Sequence, residues 1–351
     1  MPATDIEWTD RAWPVVNGCR HVSPGCSNCW AERLTATRLR HHPRYKGLAV
    51  YGAGGPRWTG ERRLAVDLLD EPLRVREPQK WFVANKGDLF GEGVENDQIA
   101  AVYGIMALAP QHTFQVLTKR AERARDWYQW IANDGSVSDF AEGGAATALW
   151  TLVDYVDRPG HIITRATEKA RKRGRLQWPP PNVWVGMSVE DQPRAEERID
   201  LLAQVPAAVR YLSIEPLLGP VRLRRWLVQT ACDNCSLGVM DADNAHLRGA
   251  CTCSCHPRPP FDWVIIGGES GPGARPCDLA WIRSIVVECK AAGVPVFVKQ
   301  LGARPVATYG EDWGGMKTLP KDRKGGDPEE WPEGLRIREW PLVVRLGARA
   351  G

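Results

Sequence analysis

The hydrophobic positions fall into short apolar runs separated by polar turns and helical patterns, a rhythm that is regular from residue 80 onward. Trp81–Ala84, Thr113–Leu117, Val183–Met187, Arg210–Ile214, Trp263–Ile266 and Val294–Val298 are β-branched or aromatic, with little alternation. Runs of that kind read as strands buried on both faces. Helical stretches lie between them: Ile99–Leu108 after Asn96, a predicted N-cap; Arg194–Val205 after Pro193; and Trp281–Ala292, ending at Gly293. Strands that alternate with helices predict a parallel sheet. With a first strand at Ala12–Val16 and another near Arg63–Val66, the count reaches seven or eight. The expected fold is therefore α/β, a full or partial parallel βα (TIM-like) barrel, with its chemistry at the C-terminal strand ends.

The residues at those ends are polar: Asn85, Lys86 and Asp88; Thr118, Lys119 and Arg120; Ser188, Glu190 and Asp191; Ser213 and Glu215; Gly267, Gly268, Glu269 and Ser270; Lys299 and Gln300. Six polar ends in succession predict a polar mouth on an apolar body. Lys119, Glu190, Glu215 and Lys299 are the expected catalytic side chains, orienting substrate or moving protons. The barrel is expected to span residues 1–302. Residues 133–181 read as an insertion or outer helices, 226–260 as a cysteine-rich insert, and 303–351 as an extension that regains a strand-like pattern at Leu335–Leu346.

Composition narrows the chemistry. Of 351 residues 43% are hydrophobic, ordinary for a chain with a packed core, and the net charge is +4. No run approaches a membrane span and the N-terminus lacks a signal-peptide pattern, so a cytoplasmic protein without a membrane partner is expected. In that compartment ten cysteines point to metal or redox chemistry rather than disulfides. Arg165, Lys169, Arg171, Lys172, Arg173 and Arg175 crowd eleven residues. They predict either a solvated helix face or a track for nucleic-acid phosphates.

Two cysteine groups stand out. Cys19, Cys26 and Cys29 form C-x6-C-x2-C, followed at once by a helical pattern from Trp30 to Arg40. Three thiols leave a ligand set one short of a closed tetrahedral site. The set fits a 4Fe–4S cluster with an open iron, or structural zinc completed by His21 or a distant ligand. Cys232, Cys235, Cys251, Cys253, Cys255 and His256 supply more ligands than one zinc ion needs, and are expected to fold their own polar insert around Zn. A second iron–sulfur cluster is the alternative there. The turn from Gly267 to Arg275 lets a ligand approach the backbone. Glu269 suits an ammonium group and Arg275 a carboxylate or phosphate, with Ser270 beside them.

Ile6–Asp10, the three-cysteine loop, Phe114–Arg120, Ser188–Gln192, Glu215–Pro220 and Gly267–Gly271 together resemble the phage-type three-cysteine-motif proteins, over about residues 5–302. That family is similar to radical S-adenosylmethionine enzymes, including the spore photoproduct lyase branch. The resemblance implies that Cys19, Cys26 and Cys29 hold a 4Fe–4S cluster whose open iron chelates S-adenosylmethionine. It also implies that Trp30 replaces the aromatic residue after the last cysteine, and that Gly267, Gly268 and Glu269 hold the methionine amino group. Two departures stand: the usual first spacing is three residues, not six, and the Gly-Gly-Glu motif usually follows the second strand. The expected function is an iron–sulfur enzyme acting on a nucleobase or nucleotide, in DNA modification or repair, with a reductant protein as partner. The alternatives are a non-catalytic, metal-stabilised nucleic-acid-binding protein and a hydrolase or transferase with two zinc sites.

Overall fold

The computed structural model describes residues 4, 6–133, 137–138, 141–142, 144–155, 161–174, 176–227, 259–307 and 320–342. Seven strands form the main sheet: β1 Arg11–Trp13, β2 Lys80–Val83, β3 Thr113–Thr118, β4 Val183–Ser188, β5 Val209–Ile214, β6 Trp263–Gly267 and β7 Val296–Gln300. Their order in the sheet is their order in the chain. The sheet is thus singly wound, with none of the order reversal that marks a doubly wound fold. Among the described residues β1 and β7 do not pair, so the sheet is parallel and open and the closed form of the expected barrel is absent. The expected cysteine-rich insert, Cys232 to His256, lies outside the described residues.

The described residues divide into two compact units, those up to residue 186 with 204–208, and those from 187–203 and 209–342. In the first unit β1, β2 and β3 pair in parallel, with Arg11 opposite Trp81 and Trp81 opposite Phe114. Trp13, Trp81 and Phe114 are fully buried, and the Phe114 ring lies 5.8 Å from Trp13 and 6.5 Å from Trp81. Helix α1 (Trp30–Ala36) is shorter than expected. Helix α2 (Asn96–Leu108) is buried throughout Ile99–Leu108, so it is apolar on every side and not a one-faced stripe. Its N-cap is Glu95, whose N–H donates to Gln98 Oε1, and not the expected Asn96. Asn96 is taken instead by α3 (Ala121–Ala132), where Arg123 donates to its Oδ1 at 2.6 Å. Residues 133–181 carry α4 (Gly144–Tyr155) and α5 (Ile162–Arg173). Helix α4 lies so close to α2 that a Cβ at Gly104 would meet Leu152 Cδ1 at 2.5 Å.

The expected first strand, Ala12–Val16, is split. Pro14 carries no N–H for the ladder, and Val16–Gly18 turns into a small separate sheet with Arg63–Leu64 and Lys86–Gly87. The run near Arg63 is therefore not an eighth strand of the main sheet.

In the second unit β5, β6 and β7 continue in parallel, Tyr211 opposite Trp263 and Val264 opposite Val296. Helix α6 (Gln192–Leu202) is capped by Asp191, which accepts from the Arg194 N–H at 3.0 Å. Helix α7 (Leu279–Ala291) buries Leu279, Ile282, Ile285, Val286 and Cys289, and Gly293 follows it at φ 68°. The expected strand from Leu335 is a 3-10 turn at Glu333–Leu335 plus a single bridge from Arg338 to Phe297, and residues 343–346 lie outside the described part.

Candidate functional site

In the first unit, the small sheet delivers the chain to the cysteine loop. Gly18 has φ 87°, and a Cβ there would sit 2.2 Å from the Glu61 carbonyl oxygen, so only glycine makes this turn. Cys19 follows. Pro24–Cys26 forms a 3-10 turn, Cys29 is the N-cap of α1, and the Cys29 N–H donates to the Cys26 carbonyl at 3.2 Å. Cys19 and Cys29 pack against one apolar cluster made by Ala31, Ala36, Tyr45, Leu48, Ala49 and Trp58. All three thiols are free.

Burial pushes the Cys19 thiol up to about 11, opposed by the nearby Arg120 guanidinium. Burial also raises Cys29, opposed by the Glu32 and Ala31 N–H groups in the first turn of α1. Burial disfavours the thiolate at both positions, so a bound metal or cluster would have to supply the positive charge that replaces their protons. No three His, Cys, Asp or Glu side chains among the described residues are placed to share one metal ion. A cluster asks for a wider set, because each thiolate takes its own iron. The loop offers three thiols, the donor type that a cluster takes.

His21, the expected fourth ligand of the zinc reading, has another partner. Its Nε2 lies 3.0 Å from Glu32 Oε2, and the buried Glu32 accepts the Trp58 N–H through Oε1. Arg120, just beyond β3, reaches the loop from the other side. Its Nη2 donates to the Arg20 carbonyl at 2.9 Å, Nη1 to Asp88 Oδ2 at 2.9 Å and Nε to Glu92 Oε2 at 3.2 Å. Asp88 also accepts from Thr118 Oγ1 and the Lys119 N–H. The sequence pattern placed Asp88, Thr118 and Arg120 among the polar strand ends but marked only Lys119 as functional. Arg120 and the buried carboxylates Asp88 and Glu32 are the residues it missed.

In the second unit each expected acid has a cation. Glu190 is fully buried, and Arg198 Nη1 donates to it at 3.1 Å and to the Ser188 carbonyl at 2.8 Å. Glu215 Oε1 lies 3.0 Å from Lys299 Nζ, and its Oε2 accepts from Ser213 Oγ at 3.3 Å. Glu269 and Arg275, expected to hold ligand groups of opposite sign, face each other: Glu269 Oε2 accepts from the Arg275 N–H at 2.8 Å and from its Nε at 2.9 Å. Ser270 is half-buried at the same turn. The register slips between Ile266 and Gly267, a bulge that sets Gly267 opposite Gln300. A Cβ on Gly267 would lie 2.6 Å from Glu215 Oε1, so the glycine makes room for that carboxylate. A Cβ on Gly268 would lie 2.2 Å from the Leu301 carbonyl oxygen, which makes this a backbone-to-backbone approach.

No helix among the described residues is long and apolar enough to cross a membrane. Neither a curated protein nor a solved structure matches the chain. Residues 3–328 match the model of one family, described as a protein of unknown function (DUF5131), and because the match covers most of the chain, the protein belongs to that family.

Proposed function

We propose that the protein is an iron–sulfur enzyme of the radical S-adenosylmethionine type that acts on a nucleobase or nucleotide. One observation carries the reading: three free thiols on a single loop, two of them packed on one apolar cluster, with the loop tied by Arg120 to the end of a parallel strand. The resemblance to the phage-type three-cysteine-motif proteins supports it. Cys19, Cys26 and Cys29 would hold a 4Fe–4S cluster, which when bound supplies an electron at an open iron.

The chain's own residues do the rest. Arg120 fixes the backbone beside Cys19 and sets a positive charge near the Cys19 sulfur. In the second unit Lys299 holds a proton at Nζ beside Glu215 Oε1, a pair suited to orienting a polar substrate group. Glu269 already accepts from Arg275 through both oxygens, so the proposal leaves the methionine amine unassigned.

The test is anaerobic reconstitution of the full chain with iron and sulfide, followed by a strong reductant and S-adenosylmethionine. The reading expects broad visible absorbance, bound sulfide and release of deoxyadenosine. Zinc bound without sulfide, or a cluster that never cleaves S-adenosylmethionine, would overturn it.

A further inference from the structure

The first unit carries a second feature away from the cysteine loop. Helix α5 (Ile162–Arg173) forms one wall of a groove of about 360 Å³. Arg165, Lys169 and Arg173 line it at four-residue spacing. At 1.5 Å per residue and 3.6 residues per turn they form a row on one helix face, about 6 Å apart and about 12 Å long. All three are exposed. Ala166 and Ala170 of the same helix also line the groove, with small side chains. Leu73, Leu108, Pro110 and Leu176 add apolar surface to the lining, where Gln111 Nε2 is already given to the Val75 carbonyl at 3.2 Å. No carboxylate is among the residues lining the groove.

We infer that this groove binds the sugar–phosphate backbone of a single-stranded nucleic acid. A periodic row of cations calls for a periodic row of anions, and arginine matches phosphate through paired N–H donors. The apolar part of the lining gives the bases a dry surface. The volume is on the scale of one nucleotide, with the row of cations running on along the backbone. Pro110 and Gln111 precede β3, at the N-terminal end of the strand, whereas Arg120, which ties the cysteine loop, follows its C-terminal end. Six residues at about 3.3 Å each separate the two ends by about 20 Å. The groove is therefore an exosite. It needs no cluster, so its test stands apart from that of the iron–sulfur reading.

The helix is pinned where such a site needs it. His161, its N-cap, accepts the Ile163 N–H through Nδ1 and lies 3.4 Å from Asp70 through Nε2, and Asp70 also holds Arg74. The acid on the helix, Glu168, does not line the groove. Arg171 lies roughly 200° round the helix from Lys169 and serves as an internal control.

The experiment is fluorescence anisotropy of a labelled single-stranded oligonucleotide of about ten nucleotides, titrated with the full chain from about 50 to about 200 mM salt. The double variant Lys169→Ala/Arg173→Ala should bind at least about tenfold more weakly at low salt. The slope of log K against log salt should fall by about 1.4, roughly 0.7 for each lost phosphate contact. Ala170→Trp, which fills the trench and keeps every charge, should weaken binding with the slope unchanged. Arg171→Ala and Cys19→Ala should bind as the parent does. If the double variant does not fold, Lys169→Gln/Arg173→Gln takes its place. No binding by the parent, an unchanged slope in the double variant, or displacement by polyglutamate as readily as by unlabelled oligonucleotide would each overturn the inference, the last in favour of an acidic protein partner.

Discussion

Arg120 donates to the main-chain oxygen of Arg20 at 2.9 Å, across a hundred positions of sequence, and so joins the end of β3 to the residue beside Cys19. The same guanidinium pairs with Asp88, and both side chains are only 6% exposed. Arg120→Ala leaves a buried carboxylate without its cation, which costs roughly 3–5 kcal/mol. Arg120→Lys keeps the charge but cannot serve Arg20, Asp88 and Glu92 together. Both variants should lower the urea midpoint, alanine more than lysine, and both should hold less iron per chain after reconstitution. A lysine variant with the parent's iron content would show that the tether does not position the loop.

The five cysteines in the described part should separate into two classes. Replacing Cys19, Cys26 or Cys29 by alanine should each abolish most of the visible absorbance, because a cluster held by three thiolates does not survive the loss of one. Cys277 and Cys289 are fully buried, and burial pushes the Cys277 thiol up to about 12 and raises Cys289 as well. They are inert packing thiols. Cys277→Ala and Cys289→Ala should leave iron content and spectrum intact, and in the native chain both thiols should resist iodoacetamide until denaturant is added. Iron loss in either variant would place a ligand where packing alone is expected.

The main strands were legible because strands buried on both faces are written as unbroken apolar runs, such as Trp263–Ile266. The break in the first strand does not show in the hydrophobic pattern, because Val15 and Val16 are as apolar as a ladder residue and the break comes from what Pro14 lacks. The helix cap at Glu95 was hidden for a related reason: Asn96 is the better cap by type, but Arg123, twenty-seven positions away, takes its side chain. The cysteine loop could be read because its members are close in sequence. Arg120 could not, since its acceptors Arg20, Asp88 and Glu92 meet only in the fold. The sequence shows Glu269 and Arg275 as charged groups on one Gly-rich turn, but not that they bond each other. Their mutual pairing depends on a turn with Gly271 and Gly273 at positive φ.

Gly267 and Gly268 should differ in the damage that a methyl group does. At Gly267 the new Cβ meets the Glu215 carboxylate, a side chain that can swing aside and leave Lys299. At Gly268 it meets the Leu301 carbonyl, and the Gln300 side chain also donates to the Gly268 oxygen at 2.8 Å, so backbone must move. Gly268→Ala should therefore cost the more stability, in the range of about 1–3 kcal/mol for overpacking, with Gly267→Ala the milder. Gly267→Ala should instead reduce turnover on the substrate served by the Glu215–Lys299 pair. Equal urea midpoints for the two variants would contradict the contrast between side chain and backbone.

His112 gives the fold a pH dependence of known sign. It is buried, its Nδ1 accepts the Gln79 N–H at 3.2 Å, and its Nε2 faces the Pro72 and Val75 carbonyls at 3.0 and 3.1 Å. That pattern fixes the neutral ring with its proton on Nε2, and a second proton would be driven against the Gln79 donor. Burial lowers the His112 pKa, and the two carbonyls oppose the shift without cancelling it. The unfolded chain, with an ordinary histidine near pH 6.5, then binds more protons than the folded one below that pH. The contribution is whole above about pH 6.5 and is lost as the pH falls through the folded value. His112→Asn keeps an acceptor toward Gln79 but does not titrate, so it should be less stable at neutral pH and lose less between pH 7 and 5 than the parent does. Urea unfolding of both chains at the two pH values measures the difference, and parallel losses would mean that other groups carry the acid sensitivity.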